Sequence, residues 1–208
     1  MKLLIVAATE AEIAPTLAHF KLKPNNFIET ENFDVLVTGV GMVATAFALG
    51  QQLSNKYNLV LNVGIAGSFD REFLMGEVVE IVEDTFAELG AEDHDNFISL
   101  PQLGFGESKF SSAANVKLEL KKVRGITVNK VHGNAQRIVK TTAIYHPQTE
   151  SMEGAAVFYA ANEVNIPALQ VRSISNYVEP RNRESWQIGL AVKNLNDWLI
   201  SFLKTLNS

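Results

Sequence analysis

The 208-residue chain reads as an α/β protein. Three observations predict this class. Short β-rich apolar runs alternate with stretches of helical periodicity along the whole length. The first run, residues 2–8 (KLLIVAA), is apolar throughout instead of alternating, the pattern of a central strand covered on both faces. Hydrophobic residues make up 47% and charged residues 20%, the balance of an ordinary globular protein. A chain of this length buries about 70% of its unfolded surface and needs no crosslinks to hold a core.

Taken in order, residues 2–8 are the opening strand, and Glu10 to about Phe20 follows as a helix in which Pro15 is a point of bending. Residues 33–38 (FDVLVT) predict a strand, and Met42 to about Leu53 a helix rich in small side chains. Further strands are expected at 59–63, 77–82 and 125–131, the last leading into a short helix from Asn134. Residues 153–163 carry helical spacing, 168–175 (ALQVRSIS) is again a buried strand, and 185–206 is an amphipathic closing helix. Residues 90–112 hold three Gly, one Pro and several acids and are expected to form one long loop, a place where function often resides. No repeat, low-complexity tract or linker interrupts the chain, so a single domain over 1–208 is expected.

Composition excludes several chemistries. Without cysteine there is no disulfide, thiolate-bound zinc, iron–sulfur cluster or thiol nucleophile. Eighteen Lys plus Arg against 23 Asp plus Glu leave a formal charge of −5, the wrong sign for a general nucleic-acid binder. The apolar run at 3–8 is followed at once by Glu10 and Glu12, unlike a signal peptide, and no run approaches the ~20 residues of a membrane span. A cytoplasmic location with no membrane partner is the expectation. Charge is uneven: residues 83–95 hold six acids and no base, whereas 109–183 hold eleven bases and five acids. The second bias favours an anionic small substrate.

Five motifs stand out. Thr9-Glu10-Ala11-Glu12 ends the opening strand, where ligands bind in parallel α/β sheets. Glu12 there is either a general base toward water or the acid of an S/T-x-x-E capping box. Gly39-Val40-Gly41-Met42-Val43-Ala44 matches G-x-G-x-x-A, but it follows the second strand and no acid lies on the strand about 20 residues on, so it is a tight ligand-approaching turn more than a dinucleotide site. Residues 62–68 (NVGIAGS) lie at a strand end, where the two glycines either expose backbone N–H groups to a ligand or form a plain strand-ending turn. In Ser151-Met152-Glu153-Gly154, Glu153 suits a helix start and equally suits two vicinal sugar hydroxyls, with Met152 against the ring. In residues 171–176 (VRSISN), Arg172 and Asn176 sit in or just after an apolar strand, where a charge or amide needs a partner. A structural ion pair is the plain alternative for Arg172, and solvent exposure for Arg181 and Arg183. Asp93-His94-Asp95 reads as a solvated acidic loop, since His19, His132 and His146 lack ligand spacing. No Ser-His-Asp or GxSxG arrangement is present.

Together and in order, the TEAE opening, TGVGMVATA, NVGIAG, SMEGAA and VRSISN resemble the purine nucleoside phosphorylase/nucleosidase superfamily over nearly the whole chain. SMEGAA followed by VRSISN is the specific pair. The branch that is most similar holds the methylthioadenosine/S-adenosylhomocysteine nucleosidases and the futalosine hydrolases. The resemblance implies a three-layer α/β/α sandwich with a mixed, twisted, partly barrel-like central sheet. It further implies that Glu12 activates water, Glu153 binds the ribose hydroxyls with Met152 against the sugar, and Arg172 holds the water and its carboxylate. Ile65, Ala66 and Gly67 would line the site, Asn176 would read the purine, and Trp186 would lie over the 5′ substituent. No cofactor and no metal are implied, and homo-oligomers, dimers or larger, are common in the family. Two departures are plain: Ile65 replaces a serine near the water, and Gln136 stands where relatives stack a Phe on the base.

Glycosidic cleavage passes through an oxocarbenium-like sugar, so a group at N7 helps the base leave and a carboxylate helps water attack. A protonated Asp at position 176 suits a 6-amino purine. Asn176 suits a 6-oxopurine, donating to O6 and accepting from a protonated N7, a distinction worth up to roughly 10⁴–10⁵-fold. Phosphorolysis needs a cationic cradle, and residues 7–13 hold two acids and no base, so water is the expected nucleophile. The resemblance then implies hydrolysis of futalosine to hypoxanthine on an alternative menaquinone route. Trp186 would pack on its phenyl ring and Arg181 or Arg183 would pair with its carboxylate. A methylthioadenosine nucleosidase, a 6-oxopurine phosphorylase and a silent nucleoside-binding protein are the alternatives.

Overall fold

A computed structural model describes residues 2–94 and 96–206. Along the chain run β1 (Leu3–Ala7), α1 (Glu10–His19), β2 (Phe27–Glu29), β3 (Phe33–Val37), α2 (Met42–Gln52) and β4 (Leu59–Ser68). Then come β5 (Val78–Phe86), β6 (Gly90–Asp93), β7 (Asn96–Ser99), β8 (Lys109–Ser111), β9 (Lys121–Thr127) and α3 (Ala135–Tyr145). The chain closes with β10 (Thr149–Ser151), α4 (Gly154–Glu163), β11 (Ala168–Tyr177), a single 3₁₀ turn at Arg183–Ser185 and α5 (Ile188–Leu206).

The main sheet is mixed and closes on itself at one side. Strands follow the order β10-β9-β5-β11-β4-β1-β3-β2, with β8 added on β5, and β10 also pairs back onto β4. That last pairing turns β4, β11, β5, β9 and β10 into a ring, while β1, β3 and β2 extend from β4 as an open wing. A separate hairpin is made by β6 and β7.

Alternation along β1 shows why its sequence carries no polar face. Leu3, Ile5 and Ala7 pack with Ile13 and Leu17 of α1 and Leu195, Leu199 and Leu203 of α5. Leu4 and Val6 point the other way, onto Leu49 of α2 and Val157, Phe158 and Ala161 of α4. Helices therefore cover both faces, which gives the three layers. Among the described residues no helix is long and apolar enough to cross a membrane.

Helix α1 runs through Pro15, which lacks the N–H its turn needs. One turn of the ladder is rebuilt by α5: buried Asn196 accepts from Thr16 N at 3.0 Å and donates to the Glu12 carbonyl at 2.8 Å. The bend point thus becomes a tether that fixes the turn carrying Glu12.

Several expectations need correction. Residues 90–112 are no single loop; they contain the β6–β7 hairpin and β8. Backbone pairing there comes from β5 and from the hairpin itself, with side chains too polar to show strand periodicity. Residues 62–68 do not form a turn: β4 continues to Ser68, because β11 pairs along it up to Tyr177. The strand expected at 125–131 lies at Lys121–Thr127, in register with β5, and the one at 77–82 extends to Phe86. Strands β2 and β10, of three residues each, were too short to register as periodic runs. In the Asp93-His94-Asp95 motif, Asp95 lies outside the described residues; His94 is an exposed left-handed turn residue.

Candidate active site

A cavity of about 410 Å³ opens at the carboxyl ends of β1, β4 and β11, beside the residues that follow β10. It brings together Glu12, Ile65, Ala66, Gly67, Met152, Glu153, Asn176, Arg181 and Trp186. Arg172 stands behind the wall, 1% exposed, and Arg183 does not line the space.

Glu12 completes the capping box and also lines the cavity. Its Oε2 accepts from Thr9 N at 3.0 Å and Thr9 Oγ1 at 2.9 Å, completing the capping box. Its Oε1 accepts from Ile65 N at 3.1 Å, so the carboxylate is held at the cavity from two sides. At Ile65 the backbone N–H thus supplies a polar contact that the apolar side chain cannot.

Arg172 reaches the same place from β11. Its Nη2 donates to Asn62 Oδ1 at 2.6 Å, and Asn62 Nδ2 donates to Val6 O at 3.1 Å, so β4 aims the guanidinium. Among the described residues it forms no ion pair within 4 Å, and Nε and Nη1 have no protein acceptor. A plain structural ion pair does not account for it. Gly64 explains how the group fits: a Cβ there would stand 2.1 Å from Arg172 Nη1 and 2.9 Å from Glu12 Oε1. The glycine of residues 62–68 therefore makes room for charges rather than turning the chain.

Glu153, the N-cap of α4, makes no capping bond with its side chain. Oε1 accepts instead from Gly41 N at 2.9 Å. Gly39 and Gly41 adopt φ of +87° and +94°, the left-handed side that turns this N–H toward the acid. Burial pushes the Glu153 carboxyl above the ordinary carboxylate range, against the pull of the Arg172 charge and the Gly41 N–H. Behind it lies Asp84, wholly buried, taking hydrogen bonds from Thr127 Oγ1 at 2.9 Å and Gln170 Nε2 at 2.7 Å. Burial raises its carboxyl to about 7.

Asn176 follows a register shift in β11 between Ile174 and Asn176, a bulge that re-aims the side chain. Its Oδ1 accepts from Ser175 Oγ at 2.8 Å and its Nδ2 donates to Tyr177 O at 3.0 Å. A carbonyl can only accept, so Tyr177 fixes which end of the amide is NH₂. One N–H and one lone pair remain for a ligand. Gly67 lies flat beneath, its absent Cβ only 3.1 Å from Asn176 Nδ2.

The rim is made of loops. Arg181 and Arg183 lie over the Trp186 ring at 5.1 and 5.8 Å from its centre, all three between β11 and α5. Gln136 is exposed on α3 and does not line the cavity.

Asp84 and Glu150 escaped the sequence reading, while Asn62 entered it only as the first residue of the 62–68 motif and His132 only as a histidine without ligand spacing. Glu150 and His132 line the cavity together: His132 N donates to Glu150 Oε1 at 2.9 Å, and ring Nδ1 meets Oε2. Glu150 sits one residue before the SMEGAA motif, the only signal that marked it. A larger, apolar cavity of about 690 Å³ lies between α2, α4 and β8, near Met42, Phe86, Phe110 and Tyr159. It offers Glu107 and Glu163 but no arrangement of acid, base and donors.

Comparison with known proteins places this geometry in context. The family model described as the phosphorylase superfamily matches residues 2–204. The futalosine hydrolase of Streptomyces coelicolor is 33% identical over 181 residues, covering 80% of this chain and 77% of that protein. Among solved structures, the futalosine hydrolase of Helicobacter pylori superposes with a TM-score of 0.84 at 16% identity, covering 99% of this chain and 98% of that one. The 5′-methylthioadenosine/S-adenosylhomocysteine nucleosidase of the same organism gives the same TM-score, identity and coverage. The fold alone does not separate the two.

Proposed function

The chain belongs to the phosphorylase superfamily, and from that premise we propose that it hydrolyses the N-glycosidic bond of futalosine, releasing hypoxanthine and dehypoxanthine futalosine. The observation that carries hydrolysis is Glu12, a carboxylate lining the cavity from the first turn of α1, the segment where a phosphorylase needs cations. Water attacks C1′ and gives its proton to Glu12, while the bond to the purine nitrogen breaks and its electron pair leaves with the base. Arg172 Nη1, which has no acceptor among the described residues, and Glu12 Oε1 both crowd the space over Gly64, an arrangement suited to orient the water. Glu153, which lines the cavity, accepts from the ribose hydroxyls, with Met152 against the sugar.

The substrate reading is supported by the sequence likeness to futalosine hydrolases and by Asn176. Its locked amide offers an acceptor to N7–H and a donor to O6, and the opposite pattern requires turning NH₂ away from Tyr177 O. Trp186 and Arg181 take the carboxyphenyl end, with Arg183 at the outer edge of the same ring. A cytoplasmic enzyme that works as a homo-oligomer completes the proposal. Helix α2 leaves Val43 and Phe47 78% and 67% exposed near Phe105 at 75%, an apolar area next to the site that a second copy would cover. Light scattering at working concentration, reading a dimer or larger, checks that part.

Chromatography of the bases released from futalosine, inosine and methylthioadenosine, with and without phosphate, tests the activity. Hypoxanthine from futalosine in phosphate-free buffer is expected. Adenine released preferentially would overturn the substrate, a phosphate requirement would overturn hydrolysis, and ligand binding with no base released would leave a silent binder.

A further inference from the structure

We propose that Glu150, held by His132, is a second base-reading residue, accepting the N1–H of a 6-oxopurine on the other side of O6 from the N7 that Asn176 reads. The proposal rests on the nucleosidase reading above and goes beyond it by assigning a specificity group to the N1 side of the base.

Register places the two groups. In the ring of strands, Glu150 of β10 pairs with Gly67 of β4 on one side, and Asn176 of β11 pairs with the same Gly67 on the other. Adjacent strands stand about 4.8 Å apart, so across one strand of a five-stranded ring the two backbones are about 8 Å apart, with a side-chain-free residue between them. That gap suits a flat purine with a hydrogen bond at each edge. Both side chains line the same cavity.

The condition of Glu150 points the same way. It is 4% exposed, and among the described residues its hydrogen bonds come from His132 alone. A carboxylate has about four acceptor positions, of which His132 N and Nδ1 occupy two. The others remain for the cavity that it lines. His132 is fixed in turn by Thr141 of α3, whose Oγ1 lies 2.8 Å from Nε2. Thr141 and His132 thus hold a buried acid at a ligand cavity, with no arginine or lysine among the described residues in direct contact with it.

Chemistry then selects the ligand. Position N1 carries a hydrogen in a 6-oxopurine and a lone pair in a neutral 6-aminopurine. A carboxylate accepts from the first and opposes the second, so Glu150 discriminates in the same sense as Asn176 but at a different atom. A role confined to holding α3 against β10 predicts no dependence on what occupies N1.

Calorimetric titration of hypoxanthine, 1-methylhypoxanthine and adenine into the full-length protein separates the cases. The unaltered protein is expected to bind hypoxanthine about 10- to 100-fold more tightly than its N1-methyl form. In Glu150→Ala that ratio should fall to within about threefold, while Glu150→Gln, whose amide oxygen still accepts, should keep part of it. Melting curves establish that each variant is folded, and the ratio in the unaltered protein and in Glu150→Gln carries the test if the alanine variant is not. An unaltered protein indifferent to the methyl group, or a folded Glu150→Ala that keeps the full ratio, overturns the assignment. If adenine binds and hypoxanthine does not, the 6-oxopurine reading itself has failed. If hypoxanthine binds but N1 does not matter, only the role of Glu150 has.

Discussion

At the floor of the cavity, Arg172, Glu12 and Glu153 are set by strands and by helix starts, and each is held by groups distant in sequence: Asn62, Ile65 N–H and Gly41 N–H. At the rim, Arg181, Arg183 and Trp186 lie on one loop and hold one another, two guanidinium groups over a single indole. The floor is buried at Arg172 and Glu153, half-buried at Glu12, and tightly packed over Gly64. The rim is exposed and adaptable. Chemistry demands fixed geometry at one end, whereas recognition of an outlying substituent tolerates movement at the other.

The largest effect expected from this division is at Glu12. Glu12→Gln keeps a capping-box side chain, so melting temperature should hold while kcat for base release falls about 10²–10⁴-fold. Near-normal turnover would reduce Glu12 to its cap. Next comes Gly64→Ala, where the new Cβ displaces Arg172 or Glu12 and turnover should fall about 10²-fold. Gly189→Ala, whose Cβ meets nothing within 4 Å on α5, is the matched control with unchanged turnover. Equal rates in the two variants would show that the floor is looser than its packing indicates.

At the rim the effects are smaller. Arg181→Ala should raise KM for futalosine about 5- to 10-fold with little change in kcat, and Arg183→Ala less than about threefold, since exposed charges are screened by solvent. Steady-state kinetics with futalosine against inosine checks this: a loss shared by both substrates would remove the carboxylate from the explanation.

The smallest effect on activity, but a definite one on stability, is expected behind the floor. Asp84 titrates near 7 when folded against about 3.9 when unfolded, so the native state favours its acid form. Its contribution to stability is therefore complete below about pH 4 and is lost as pH rises through about 7. Asp84→Asn should flatten the fall in melting temperature between pH 4 and 8, and could gain a bond to Gln170 Oε1, which has no partner among the described residues. A pH profile unchanged by the substitution would mean that another group sets the slope.

How much of this was legible varied with the kind of signal. The apolar run of β1, the Thr9–Glu12 box, the start of α3 at Asn134 and the glycine turn before α2 were readable because each is determined within a few residues. The extension of β4 through Gly64 and Gly67 was not, because low strand propensity there is overridden by pairing with β11 and β10. The hairpin at Gly90–Ser99 hid under acidic, glycine-bearing composition for the same reason. At the site, Glu12, Glu153 and Asn176 were visible through motif resemblance, whereas Asp84 and Glu150 carried no motif that distinguished them from ordinary polar residues, and Asn62 opened the 62–68 motif without a role of its own.

By itself, then, the sequence determined the layered α/β class, the order of most elements and the types of side chain available at strand ends, since local periodicity and capping depend only on neighbours along the chain. The tertiary structure alone decided that β10 closes the ring onto β4, that Gly41 serves Glu153, that Asn196 repairs α1 at Pro15, and that Glu150 faces Asn176 across Gly67. Those pairings join residues far apart in the chain. Their free energy comes from burial and register, which no short window of sequence contains.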